Sequence, residues 1–110
     1  MNISIEMKEN DQFTSVDISG EIDAYTAPKL RESLFHLSEK EGGTMVINLS
    51  GVSYMDSTGL GVFVGVYKNI RSNNGQLYLQ GLSARLMRLF EITGLSNIMD
   101  ISSKNEGEVR

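Results

Sequence analysis

Ile3, Ile5 and Met7 alternate with Ser4, Glu6 and Lys8, and this two-residue period predicts a half-buried strand. Val16, Ile18 and Ile22 continue the period in a second strand, with Asn10-Asp11-Gln12 as the turn between them. The period then lengthens. Ala27, Leu30, Leu34 and Leu37 recur at helical spacing, with Thr26 placed to cap the helix and Pro28 in its first turn. Gly42-Gly43 is expected to stop that run. Met45-Val46-Ile47 and Leu49 form a short, nearly continuous apolar stretch, which predicts a strand buried on both faces. A second helix is expected from Ser57 to near Asn73-Asn74-Gly75, followed by a strand in which Leu77 and Leu79 alternate with Gln76, Tyr78 and Gln80. Ser83 is placed to cap a third helix carrying Leu86, Leu89, Phe90 and Ile92 and ended by Gly94. Ile98 and Ile101 suggest a last short strand, and residues 102–110 read as a polar tail, flexible or weakly helical.

Strands that alternate with helices imply βαβ units, hence an α/β fold with a small, mostly parallel sheet. The alternating strands leave polar residues on one sheet face, so the helices are expected mainly on the other. No repeat or linker interrupts the pattern, and 110 residues read as a single domain, 1–110, large enough to bury its own core.

Composition narrows the classes. With no cysteine, neither a disulfide nor a thiolate site can form. A net charge of −4, with no aromatic-interleaved basic patch, argues against nucleic acid as a direct partner. The opening MNISIEMKEN lacks the basic flank and apolar core of a signal peptide. The most apolar stretch, Gly59 to Tyr67, falls well short of the ~20 residues a membrane-spanning helix needs. The expectation is a cytoplasmic domain with no membrane partner, no metal and no cofactor.

One stretch asks for an explanation. "YMDSTGLGVFVG", residues 54–65, places Asp56, Ser57 and Thr58 at a helix start and then puts Gly59, Gly61 and Gly65 inside the helix. Each glycine weakens a helix interior by roughly 0.8–1.0 kcal/mol relative to alanine. On a wheel of about 100° per residue, Leu60, Phe63, Val64, Val66, Tyr67 and Ile70 share a broad apolar arc, while Ser57, Gly61, Gly65, Lys68 and Ser72 lie opposite. Two readings are open. Asp56 or Ser57 merely caps the helix while the glycines fit a neighbouring element, or the glycines form a bare strip along which another protein lies, centred on the Ser57 hydroxyl. Neither needs Ser57 as a nucleophile. The sole histidine, His36, is separated from it by a strand and reads as a surface residue. No G-x-S-x-G elbow, S-x-x-K pair or phosphate-binding loop is present.

At these residues the sequence resembles a known family. "GEIDAYTAPKLRESL" (20–34), "VSYMDSTGLGVFVG" (52–65) and "RLFEITGL" (88–95) are similar to the anti-sigma factor antagonists, which carry the STAS domain, and most of all to the sigma-B-type stress antagonists. The resemblance implies the STAS fold, a small α/β sandwich with helices mostly on one sheet face. It also implies a binding module rather than an enzyme. Its unphosphorylated form would bind an anti-sigma factor that is also an ATP-dependent serine kinase, releasing the sigma factor. Phosphorylation would inactivate it, and a PP2C-type phosphatase would restore it. By position, Ser57 is the expected acceptor, with Thr58 the fallback. Asp23 and Asp56 are carried over as neighbours shaping the site, and Asp23, Asp56, Ser57, Thr58, Gly59, Gly61 and Gly65 as the partner-binding set. The free chain is expected to be monomeric. The competing reading is a STAS-type sensor of a nucleotide or other small molecule, with Ser57 in its pocket.

Overall fold

The computed structural model describes residues 2–104. Among them the chain runs β1 (Ile3–Glu9), β2 (Thr14–Ile22), α1 (Ala27–Leu37), β3 (Thr44–Met55), α2 (Ser57–Ser72), β4 (Gln76–Leu82), α3 (Ala84–Ile92), a 3₁₀ turn (Leu95–Asn97) and β5 (Asp100–Ser103). The strands form one sheet in chain order, β1-β2-β3-β4-β5, with β1 antiparallel to β2 and every later pair parallel. Each parallel connection steps to the next strand in the same direction. A right-handed crossover then returns its helix to the same sheet face each time.

Burial follows from that geometry. Val16 pairs with Ile47 and Ile47 with Leu79, and all three are buried under the helices. One residue further on, Asp17 pairs with Asn48 and Asn48 with Gln80, and this row points to the uncovered face. The helices contribute Leu30, Leu34, Leu60, Phe63, Val66, Leu86 and Phe90 to the same core.

Several boundaries differ from the sequence expectation. β3 alternates in burial instead of being covered on both faces, and Val46 is only half-buried. Among the described residues the helices lie on one face alone, so they do not cover β3 twice. β3 also continues to Met55, past a register shift against β2, and so reaches the start of α2 directly. α1 ends at Leu37, ahead of Gly42-Gly43, because Ser38 takes the C-cap with its amide on Leu34 and Phe35 carbonyls and its hydroxyl on the Phe35 carbonyl. Asn69 of α2 donates to that hydroxyl at 2.5 Å, tying the two helix ends together. In α2, Val62 is in the core, whereas Val64 and Tyr67 are half-buried. Ile92 and Ile98 are exposed, and Met99 is the buried residue ahead of β5. Ser102 and Ser103, expected in the tail, belong to β5, and residues 105–110 lie outside the described set.

Candidate functional site

Because β2 and β3 are parallel, their C-terminal ends lie side by side. Ile22 pairs with Met55, and the Asp56 amide donates to the Ile22 carbonyl at 3.1 Å. This contact brings the "GEID" and "MDST" segments together, although 32 residues of chain lie between Asp23 and Asp56.

Both carboxylates hold backbone. The Asp23 Oδ1 accepts the amides of Tyr25 and Thr26 at 2.9 and 3.0 Å, turning the chain into α1. Thr26 Oγ1 accepts the Asp23 amide at 2.9 Å and donates to the Glu21 carbonyl at 2.8 Å. Thr26 therefore braces the turn with its side chain and makes no side-chain cap to an α1 amide. Asp56 caps α2, its Oδ1 accepting the Gly59 amide at 3.1 Å. A carboxylate there also faces the positive end of a 16-residue helix.

With the cap assigned to Asp56, Ser57 has no structural duty. Ser57 and Thr58 are both exposed, and among the described residues neither hydroxyl makes a hydrogen bond. They open onto a groove of about 410 Å³ bordered by Pro28 and Arg31 of α1 and by Gly61. A second groove, of about 390 Å³, lies on the other side of the helix start and is lined by Glu21, Asp23, Ala24, Tyr25, Tyr54 and Asp56. The fold therefore gathers Asp23, Asp56, Ser57, Thr58 and Gly61 at one end of the sheet.

Gly59 and Gly65 do not belong to an open strip. A Cβ at Gly59 would run into the Ile22 side chain and come within 3.1 Å of the Ile22 carbonyl oxygen, so this glycine lets α2 sit tightly on β2. A Cβ at Gly65 would lie 2.7 Å from Phe35 Cζ, so this one admits the α1 aromatic ring. The wheel placed Gly65 correctly, opposite the sheet-facing arc. What it could not represent is that α1 lies against that side of α2. Of the three, only Gly61 faces open space, with nothing within 4 Å of where a Cβ would stand.

Sequence reasoning also missed residues. Tyr25 and Tyr54 are 86% and 46% exposed and flank the carboxylates. The readable signal was two aromatic residues at non-core positions inside the quoted motifs. Arg31 was one more charge on an amphipathic helix, and nothing in its spacing pointed towards Ser57. His36 is exposed on α1 and lines neither groove, and no group of three or more potential metal ligands occurs among the described residues. No helix there is long and apolar enough to cross a membrane.

The five-stranded, mostly parallel sheet with three helices is matched among known proteins. The chain belongs to the STAS domain family, whose model matches residues 4–107. Within that family it is similar to proteins named anti-sigma-B factor antagonist. It is 54% identical to the one from Bacillus subtilis, over 100% of both chains, and 57% identical to the one from Listeria monocytogenes, over 99% of this chain and 96% of the relative. The crystal structure of an anti-sigma factor antagonist from Mycobacterium paratuberculosis superposes with a TM-score of 0.82 at 26% identity, covering 92% of this chain and 86% of that one.

Proposed function

We propose that the whole chain acts as one STAS domain, an anti-sigma factor antagonist of the sigma-B type working in the cytoplasm and switched by phosphorylation of Ser57. Full-length likeness to anti-sigma-B factor antagonists supports the antagonist role. The observation that carries the switch is the division of labour at α2: Asp56 caps the helix, which leaves the adjacent Ser57 hydroxyl exposed and unused.

In this reading the partner is an anti-sigma factor that is also a serine kinase. The Ser57 Oγ attacks the γ-phosphorus of ATP held by the partner. The new O–P bond forms as the bond to the β–γ bridging oxygen breaks, ADP departs, and the hydroxyl proton passes to a base of the kinase. This chain supplies only a rigidly presented acceptor and brings no catalytic group. A PP2C-type phosphatase hydrolyses the ester and restores the hydroxyl. Asp23, Asp56, Thr58 and Gly61 border the docked surface. Gly59 and Gly65 act from inside the fold.

The switch follows from charge burial. A phosphoserine carries about −1.5 to −2 charge, taking the chain from −4 to about −6. At the α2 N-terminus the helix itself favours an anion by roughly 0.3–1 kcal/mol, so the fold is kept. Repulsion from the half-buried Asp23 and Asp56 carboxylates acts within this chain and does not by itself release a partner. Covering the dianion with a docked protein is another matter. Burying an uncompensated charge costs several kcal/mol, and about 2.8 kcal/mol already weakens binding a hundredfold.

The test is incubation with the cognate anti-sigma kinase and ATP, followed by mass spectrometry of the intact chain and its peptides. One phosphate on Ser57, lost in Ser57→Ala with kinase binding retained, is expected. Labelling at Thr58 in place of Ser57 would move the acceptor by one residue, and no labelling at either would end the proposal.

A further inference from the structure

The two grooves beside the α2 start differ in sign. One carries Glu21, Asp23 and Asp56, whereas among the described residues Arg31 is the only charged one lining the groove onto which Ser57 and Thr58 open. Arg31 is exposed on α1, and its guanidinium carbon stands 4.7 Å from the centroid of the Phe35 ring. Among the described residues it makes no ion pair. Phe35 is itself seated over Gly65, since any Cβ there would push the ring away. The absent side chain at position 65 thus fixes the ring, and the ring gives the guanidinium a resting place beside the hydroxyls.

We propose that Arg31 is the intramolecular counter-ion of the phosphoryl group carried by Ser57, a contact that rests on the phosphoacceptor reading above. Three features favour it. The carboxylates on one side of the helix start repel a dianion towards the other side, where the cation stands. A guanidinium presents paired N–H donors matched to phosphate oxygens. Its present partner is the face of the half-buried Phe35 ring, a weak contact that a charge-assisted hydrogen bond can replace. The modification then changes two charges on the docking surface together, adding a dianion at Ser57 and withdrawing a free cation at Arg31.

The test uses phosphoserine placed at position 57 during synthesis of the full chain, so that it does not depend on any kinase. The second ionisation of the phosphate, ordinarily near pH 6, is followed by phosphorus-31 NMR across a pH titration. An adjacent cation favours the dianion and lowers this pKa. Arg31→Ala is therefore expected to raise it by about half a unit or more, and Arg31→Lys, which keeps the charge but loses the paired donors, by less. Lys29→Ala removes a cation that is exposed on α1 but does not line the groove, and it should leave the titration unmoved. Because Arg31 is exposed, circular dichroism should show all variants folded. Superimposable titrations of the parent and Arg31→Ala, or an equal shift in Lys29→Ala, would overturn the contact. Failure of the kinase to label Ser57 would instead remove the phosphoacceptor reading and leave the titration result standing.

Discussion

At the start of α3 the Ser83 hydroxyl accepts the Leu86 amide at 3.2 Å and holds the first turn, whereas at the start of α2 the Asp56 carboxylate accepts the Gly59 amide at 3.1 Å. Both helices start at the same end of the sheet, since β3 and β4 are parallel. In α3 the serine is the N-cap, and its oxygen is consumed by the backbone. In α2 the cap has moved one residue earlier and the serine is the first helical residue, so its hydroxyl is free to meet another molecule. A single-residue shift of the capping function separates a structural serine from an available one. Phosphate on Ser57, as proposed, would leave the cap intact, because the group that stabilises the helix and the group that would receive phosphate are different side chains.

The sharpest way to break this picture is at the base of α2. Gly59→Ala forces a Cβ against Ile22 and should destabilise the domain by about 1–3 kcal/mol, the usual cost of overpacking. Urea unfolding read by circular dichroism measures it, and an unchanged midpoint would mean that α2 is not seated on β2 as described. The two serines come next. Ser83→Ala should cost about 1 kcal/mol through loss of its cap, while Ser57→Ala should stay within about 0.5 kcal/mol of the parent, as expected of an exposed side chain without a structural partner. Equal losses in the same urea experiment would erase the distinction. The smallest effect has the opposite sign. Gly61→Ala adds a methyl group to open space in an exposed helix, and should raise stability by just under about 1 kcal/mol. A thermal melt that falls would show that Gly61 is confined, as Gly59 and Gly65 are.

Much of the fold was legible because its signals are local. The alternation of Val16 and Ile18, the helical spacing of Leu30 and Leu34 and the turn at Asn10-Asp11-Gln12 depend on near neighbours in the chain, and each is found where expected. The failures share a cause as well. Met45-Val46-Ile47 looked doubly buried because a run of apolar residues does not say whether a second layer exists. Ile92 fits the apolar pattern of α3 but lies at its end, where it is 75% exposed. At the site, Asp56, Ser57 and Thr58 were legible as a helix start. Which of them capped was not, because adjacent polar residues all offer an oxygen and backbone geometry selects one.

By itself the chain's order of residues determined the class of fold, the run of strands and helices, and the presence of a hydroxyl beside a cap, because these rest on periodicity and on contacts within a few positions. Only the tertiary structure decided that Gly59 meets β2, that Gly65 meets Phe35 while Gly61 meets nothing, and that Arg31 shares a groove with Ser57. Those facts depend on which element packs against which across 26 or more residues of chain, and side-chain spacing within one helix carries no record of its neighbours.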